Sequence, residues 1–146
     1  MTEPVYVGMP NIDRRFDVGH WGEIRCGGRC RDDYGRLETV HQDGRVITLQ
    51  RAALDSFKSA EKEVGGLIRL TGAFRACSYQ TALYRSDSGR FANPDTSAHC
   101  RGLAIDVSTN QAADKLKRIR ATLMERHWHQ ARPTDEPWHY SFGLQV

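Results

Sequence analysis

Leu49, Ala53, Phe57 and Ala60 recur at helical spacing, Val64 follows, and Gly65–Gly66 stops the run. This pattern predicts a helix from about residue 49 to 64. LIRLTG, residues 67–72, alternates like a strand. YQTALYRS, 79–86, predicts a second, short helix, and RSDSGRFANPDTS, 85–97, is loop chemistry throughout. LAIDV, 103–107, is a strand. Leu116, Ile119 and Leu123 form the apolar side of a third helix from about Gln111 to Arg126, with Thr109 or Asn110 as its cap. ARPTDEP is a loop, and WHYSF, 138–142, is a final strand. Residues 1–45 are rich in Gly, Arg and Asp and carry little periodicity. They predict an irregular N-terminal segment, with short strands around Tyr6–Val7 and Val46–Thr48 and a turn at QDGR, 42–45. The element order points to one small α+β domain, a mostly antiparallel sheet with flanking helices, its core running from residue 46 to 146.

The chain's 146 residues suit one domain with one core. With 39% hydrophobic and 27% charged residues it has the balance of an ordinary globular protein. No run approaches the roughly 18 apolar residues of a membrane span. The N-terminus lacks the basic start and apolar stretch of a secretory signal. The expectation is a protein that stays inside the cell, leaves by a route needing no signal, or has lost its signal. The net charge is a mild +3, but residues 111–132 carry Lys115, Lys117, Arg118, Arg120, Arg126 and Arg132 against Asp114 and Glu125. A solvated helix face accounts for this; attraction to an anionic polymer such as nucleic acid or cell wall is the sharper reading. No nucleic-acid recognition motif accompanies it. Of the four cysteines, Cys26 and Cys30 form CGGRC, a tight clip or half of a zinc knuckle without a matching second pair.

Candidate chemistry gathers around two strands. In LAIDV, Leu103, Ile105 and Val107 share one face toward the core, and Ala104 and Asp106 the other. A carboxylate on that second face looks across a small residue, which leaves room for something bound. His99 lies upstream on the incoming loop, and Gly102 lets the chain bend between them. In DEPWHYSFG, Trp138, Tyr140 and Phe142 alternate onto one face, and His139 and Ser141 onto the other, with Glu136 three residues before His139. Pro137 pushes Glu136 toward an extended conformation. Two His and one Asp match the three N and O ligands of a catalytic zinc, which keeps a fourth position for water. The metal acidifies that water, and a carboxylate outside the ligand set accepts its proton. His99, Asp106 and His139 are the candidate ligands and Glu136 the candidate base. His129 is a candidate fourth ligand or, preferably, a supporting group, because a fourth protein ligand closes the site.

SAHCRGLAID, 97–106, resembles the S-x-H-x-x-G-x-A-x-D motif of the zinc D-alanyl-D-alanine carboxypeptidases and their relatives, the VanY-type and phage L-alanyl-D-glutamate endopeptidases. EPWH, 136–139, resembles their E-x-W-H, and GAFRACSYQ, 72–80, their G-x-x-R-x-x-x-x-Q. The resemblance runs from about Leu49 to Phe142 and leaves the first 45 residues uncovered. It implies the small α+β fold shared with the Hedgehog signalling domain. It implies one zinc per chain on His99, Asp106 and His139, with Glu136 as catalytic base. It implies Arg75 as the arginine that binds substrate and steadies the developing oxyanion, Gln80 as a glutamine lining the cleft, and Ser97 as a serine near substrate. The implied activity is hydrolysis of peptidoglycan stem peptides, at the terminal D-Ala-D-Ala bond or inside the stem. The implied partner is a stem peptide, with no nucleic acid and no membrane span, and the chain is expected to be a monomer. Lack of a signal suggests a lytic enzyme of phage type acting at the bacterial cell wall. A zinc-holding binding module of the same fold is the competing reading, against which Glu136 argues. If the segments of Arg75 and His99 share one cleft, Cys77 and Cys100 come close enough for a disulfide to be considered.

Overall fold

The computed structural model describes residues 5–7, 37–66, 68–93 and 96–143. Cys26 and Cys30 lie outside the described residues, as does the side chain of Cys77 and therefore the Cys77–Cys100 pairing; Cys100 itself is fully buried.

The described residues form a mixed α+β structure with two small sheets. Strands β1 (Val5–Tyr6), β2 (Leu37–Gln42) and β3 (Arg45–Gln50) make a three-stranded sheet in the order β1-β3-β2. Strands β4 (Leu70–Gly72), β5 (Ala104–Val107), β6 (Trp128–His129) and β7 (His139–Phe142) make a four-stranded sheet in the order β4-β5-β7-β6. Every pairing is antiparallel except β1 with β3. The expectation of a single sheet is thus corrected to two. The hairpin explains this. Asp43 and Gly44 both adopt positive φ (53° and 73°) and join β2 to β3 directly. LETVHQ, which the sequence reading left in an irregular segment, is strand β2, with Thr39 and Thr48 hydroxyls meeting at 3.0 Å across the ladder. Its side chains are half-buried or exposed, so it carries no apolar signature.

Helices α1 (Arg51–Val64), α2 (Cys77–Ser86) and α3 (Ala113–Met124) follow the predicted order. Helix α1 buries Ala53, Leu54, Phe57, Ala60 and Val64 and ends at Gly65, whose N–H donates to the Glu61 and Lys62 carbonyls. Leu49 belongs to β3 rather than to the helix. Helix α3 starts after Ala112, which offers no side-chain cap; neither Thr109 nor Asn110 caps it. Instead the Ser108 hydroxyl accepts from the Asn110 amide (3.3 Å), and Gln111 donates to the Ser108 carbonyl (2.6 Å). These bonds make a turn that leads into the helix.

One hydrophobic core joins both sheets to α1 and α3. Ile47 and Leu49 from β3 meet Phe57, Ile68, Leu70, Ile105, Ile119, Leu123, Trp128 and Tyr140. Burying a side chain such as Phe57 contributes about 1.5–3 kcal/mol. The predicted inward face of β5 (Leu103, Ile105, Val107) lies in this core. On β7 the same holds for Tyr140 and Phe142, but not for Trp138, which precedes the strand and is 38% exposed. The alternation fails there because residues 136–139 form a turn, the His139 N–H donating to the Glu136 carbonyl at 3.1 Å.

The first sheet also braces the second. The Gln50 amide donates to the Gly102 carbonyl (2.9 Å), its side chain to the Arg101 carbonyl (2.8 Å), and the Phe74 amide to the Thr48 carbonyl (3.3 Å). Gly102 has φ +69°, and a Cβ there would stand 2.3 Å from Leu37 Cδ2 and 3.0 Å from the Gln50 nitrogen. Only glycine meets both demands. The turn that carries His99 is therefore clamped against β2 and β3.

Candidate metal centre

His99, Asp106 and His139 come together from three segments. Asp106 sits on β5 directly opposite His139 on β7. His99 ends the incoming loop, its carbonyl accepting from the Arg75 amide at 3.1 Å. One ligand atom from each residue lies within 4.8 Å of the other two. Asp106 Oδ1 is 3.2 Å from His99 Nε2 and 3.1 Å from His139 Nδ1. His99 and Asp106 are buried, and His139 is half-buried.

The hydrogen bonds around the cluster fit it to a cation. His99 Nδ1 lies 2.7 Å from the Ala73 carbonyl, which can only accept, so the ring's proton sits on Nδ1. The Nε2 lone pair of a neutral ring then faces a carboxylate oxygen, acceptor against acceptor, unless a positive ion lies between them. Burial lowers the His99 pKa and so favours the neutral ring, against the pull of Asp106. Burial also works against charge on Asp106, yet positive charge and donated hydrogen bonds from His99 and His139, with the Arg75 guanidinium, outweigh it and hold the carboxyl well below the usual carboxylate range. His139 is oriented in the same manner, its Nε2 lying 3.0 Å from Ser141 Oγ. A carbonyl and a hydroxyl behind two imidazoles are the supports that metal-binding histidines use. A buried His whose Nε2 faces a fixed carboxylate, with a second imidazole beside them, forms a set that could hold a metal ion.

The other oxygen of Asp106 is also fixed. Arg75 Nη2 donates to Oδ2 at 2.9 Å, and Nη1 donates to Gln80 Oε1 at 3.3 Å. Gly72 lies opposite Asp106 in the ladder, where a Cβ would meet Oδ2 at 2.9 Å. The carboxylate thus packs against the bare Cα of a glycine.

The cluster opens into a cavity of about 650 Å³. Arg75, Gln80, Ser97 and Glu136 line it together with His99, Asp106 and His139, so the three motifs contribute to one space. Ser97 and Gln80 are buried, at 4% and 1% exposure, and Glu136 is half-buried. Trp138 forms another part of the wall, as do Arg90 and Phe91 from the 87–98 loop, with the Arg90 guanidinium 5.3 Å from the Phe91 ring centre. Sequence reasoning gave these last two no role, nor Ser141 its place behind His139. Alternation had placed Ser141 on the correct face, which was the available signal. His129 is exposed on β6 opposite Ser141 and is not among the converging donors of the described residues. Three arginines of the basic stretch bond within the fold. Arg118 donates to the Val64 carbonyl (3.1 Å), Arg120 to Gln130 (2.7 Å) and Arg126 to Ser59 (3.1 Å). No helix among the described residues is long and apolar enough to cross a membrane.

Searched against protein-family models and against curated proteins, the chain matches none.

Proposed function

We propose that this protein is a zinc metallopeptidase that hydrolyses peptide bonds in peptidoglycan stem peptides. The observation that carries the reading is the convergence of three separate motifs on one cavity, with His99, Asp106 and His139 within 4.8 Å and Glu136 in the wall outside the ligand set. The donor set of two imidazoles and a single carboxylate favours zinc over calcium or magnesium, which take oxygen ligands. Zinc held there supplies a Lewis acid that polarises an amide carbonyl and acidifies water. Glu136 takes the proton of the attacking water and returns it to the leaving amine as the C–N bond breaks. Arg75 holds Asp106 in place and adds positive charge at the site where negative charge develops on the carbonyl oxygen. Ser97 and the Arg90–Phe91 wall take up the flanking peptide. The wall of a bacterial cell is the place of action, and the cleavage is of D-Ala-D-Ala carboxypeptidase type or inside the stem.

Digestion of purified peptidoglycan and of a synthetic stem pentapeptide, read by mass spectrometry with zinc content measured in parallel, tests this. Loss of one alanine, abolished in Glu136→Ala while zinc stays bound, establishes a carboxypeptidase. Cleavage within the stem, lost in the same way, establishes an endopeptidase. Zinc at one per chain with no cleavage of either substrate sinks the peptidase reading and leaves a binding module.

A further inference from the structure

Gln80 is a buried polar side chain at the cavity, bonded at both ends of its amide. It is 1% exposed, on the first turn of α2. Its Oε1 accepts from Arg75 Nη1 at 3.3 Å, and its Nε2 donates to the Ala92 carbonyl at 2.8 Å. The two partners settle which end of the amide is which, since a guanidinium only donates and a carbonyl only accepts. Arg75 in turn has few holds. Its Nε is buried without a partner, so the guanidinium is oriented by Asp106 on one side and Gln80 on the other. The Ala92 carbonyl belongs to the 87–98 loop, which brings Arg90, Phe91 and Ser97 to the cavity. A chain of contacts therefore runs from the loop through Gln80 and Arg75 to Asp106.

From this we infer that Gln80 is a positioning residue: a strut that fixes the segment 87–93 through its amide nitrogen and, through its amide oxygen on Arg75, the candidate metal-binding carboxylate. This differs from the substrate contact that the resemblance implies for it. The inference deepens the proposed metallopeptidase reading and rests on it for the metal arm alone. The side chain is buried and each end of its amide already bonds a protein group.

Two substitutions separate the two ends. Gln80→Glu keeps an acceptor for Arg75 but has no donor for the Ala92 carbonyl. Gln80→Met loses both. Amide hydrogen exchange over residues 87–93 is measured on metal-free protein, and zinc affinity by competition with a chelating dye. In the wild type the Arg90 and Phe91 amides donate to the Asp87 carbonyl at 3.2 and 3.0 Å, so the loop has protection to lose. The expected result is faster loop exchange in both variants, zinc affinity near wild type in Gln80→Glu, and affinity lower by about tenfold in Gln80→Met. Unchanged loop exchange in Gln80→Glu, or wild-type zinc affinity in Gln80→Met, overturns the strut. If Gln80→Met does not fold, Gln80→Glu decides through the loop. A wild-type protein that binds no zinc sinks the metallopeptidase reading, and the loop measurement on metal-free protein still decides the strut.

Discussion

Gly72→Ala is a one-carbon test of the whole centre. Gly72 has no left-handed backbone requirement, so alanine is acceptable to the strand itself. The cost comes from one contact. The added Cβ would lie 2.9 Å from Asp106 Oδ2 and 3.4 Å from Asp106 Cβ. Non-bonded heavy atoms reach their optimum near 3.5 Å, so the carboxylate must retreat by roughly 0.6 Å. It cannot do so freely. Oδ2 is held by Arg75 at 2.9 Å, and Oδ1 lies 3.2 and 3.1 Å from the two imidazoles. A shift of that size misaligns the oxygen that faces both histidines. Disturbing a support of a metal ligand lowers metal affinity about 10–100-fold. At the lower end this is about 1.4 kcal/mol. Zinc affinity of Gly72→Ala is measured by competition with a chelating dye, with thermal melting of the metal-free protein as the control for folding. A tenfold or larger loss with an intact fold is expected. Affinity within twofold of wild type, in a folded variant, refutes the reasoning: either Asp106 is not a ligand or its position tolerates the methyl group.

Zinc at one hundred times its dissociation constant should stabilise the protein by about 2.7 kcal/mol, seen as a reversible rise in Tm that chelation removes and His139→Ala abolishes. Trp128→Phe removes a bond of 3.0 Å to the Ser56 hydroxyl and leaves a void at a fully buried site, so urea denaturation should show a loss of about 1–3 kcal/mol. Burial raises the Tyr140 pKa above its ordinary 10.0, against a smaller opposing pull from Arg120. The folded state therefore keeps this proton at pH values where the unfolded chain releases it, and its contribution is present below pH 10.0 and lost above it. Melting curves from pH 8 to 11 should show a steeper alkaline decline in wild type than in Tyr140→Phe.

Periodicity located what is buried and missed what is braced. Phe57, Ile105, Ile119 and Leu123 repeat at the spacing of their elements because each has one face in the core, and the element order followed from them. Strand β2 escaped because its residues are half-buried or exposed, held by the hairpin ladder with β3 rather than by an apolar face. Trp138 was misassigned because alternation assumes a strand, and the chain turns at Glu136. The three candidate ligands were legible through residue type and spacing. Their supports were not. The Ala73 carbonyl behind His99 is backbone and leaves no trace in residue identity, and the Gly72 approach to Asp106 is a relation between residues far apart in the chain. The engagement of Arg75 with Asp106 is likewise a tertiary fact.

The choice between a hydrolase and a metal-holding module turns on what surrounds the three donors. Structural zinc sites close with four protein ligands. Among the described residues only His99, Asp106 and His139 converge, and the nearest sequence candidate for a fourth, His129, is exposed on β6. The open side faces a cavity of about 650 Å³. Glu136 is held at its wall by a turn with bonds at both ends: its amide donates to the Arg132 carbonyl at 2.8 Å, and its carbonyl accepts from His139 at 3.1 Å. Outside the turn, Gln130 donates to the Pro137 carbonyl at 2.8 Å and accepts from Arg120 at 2.7 Å. A module that only stores zinc gains nothing from an acid in the wall of the same cavity yet outside the coordinating set. A hydrolase needs that acid, since water must give up a proton and the leaving amine must receive one. The place of Glu136 in the cavity wall, outside the converging donors, therefore favours the peptidase.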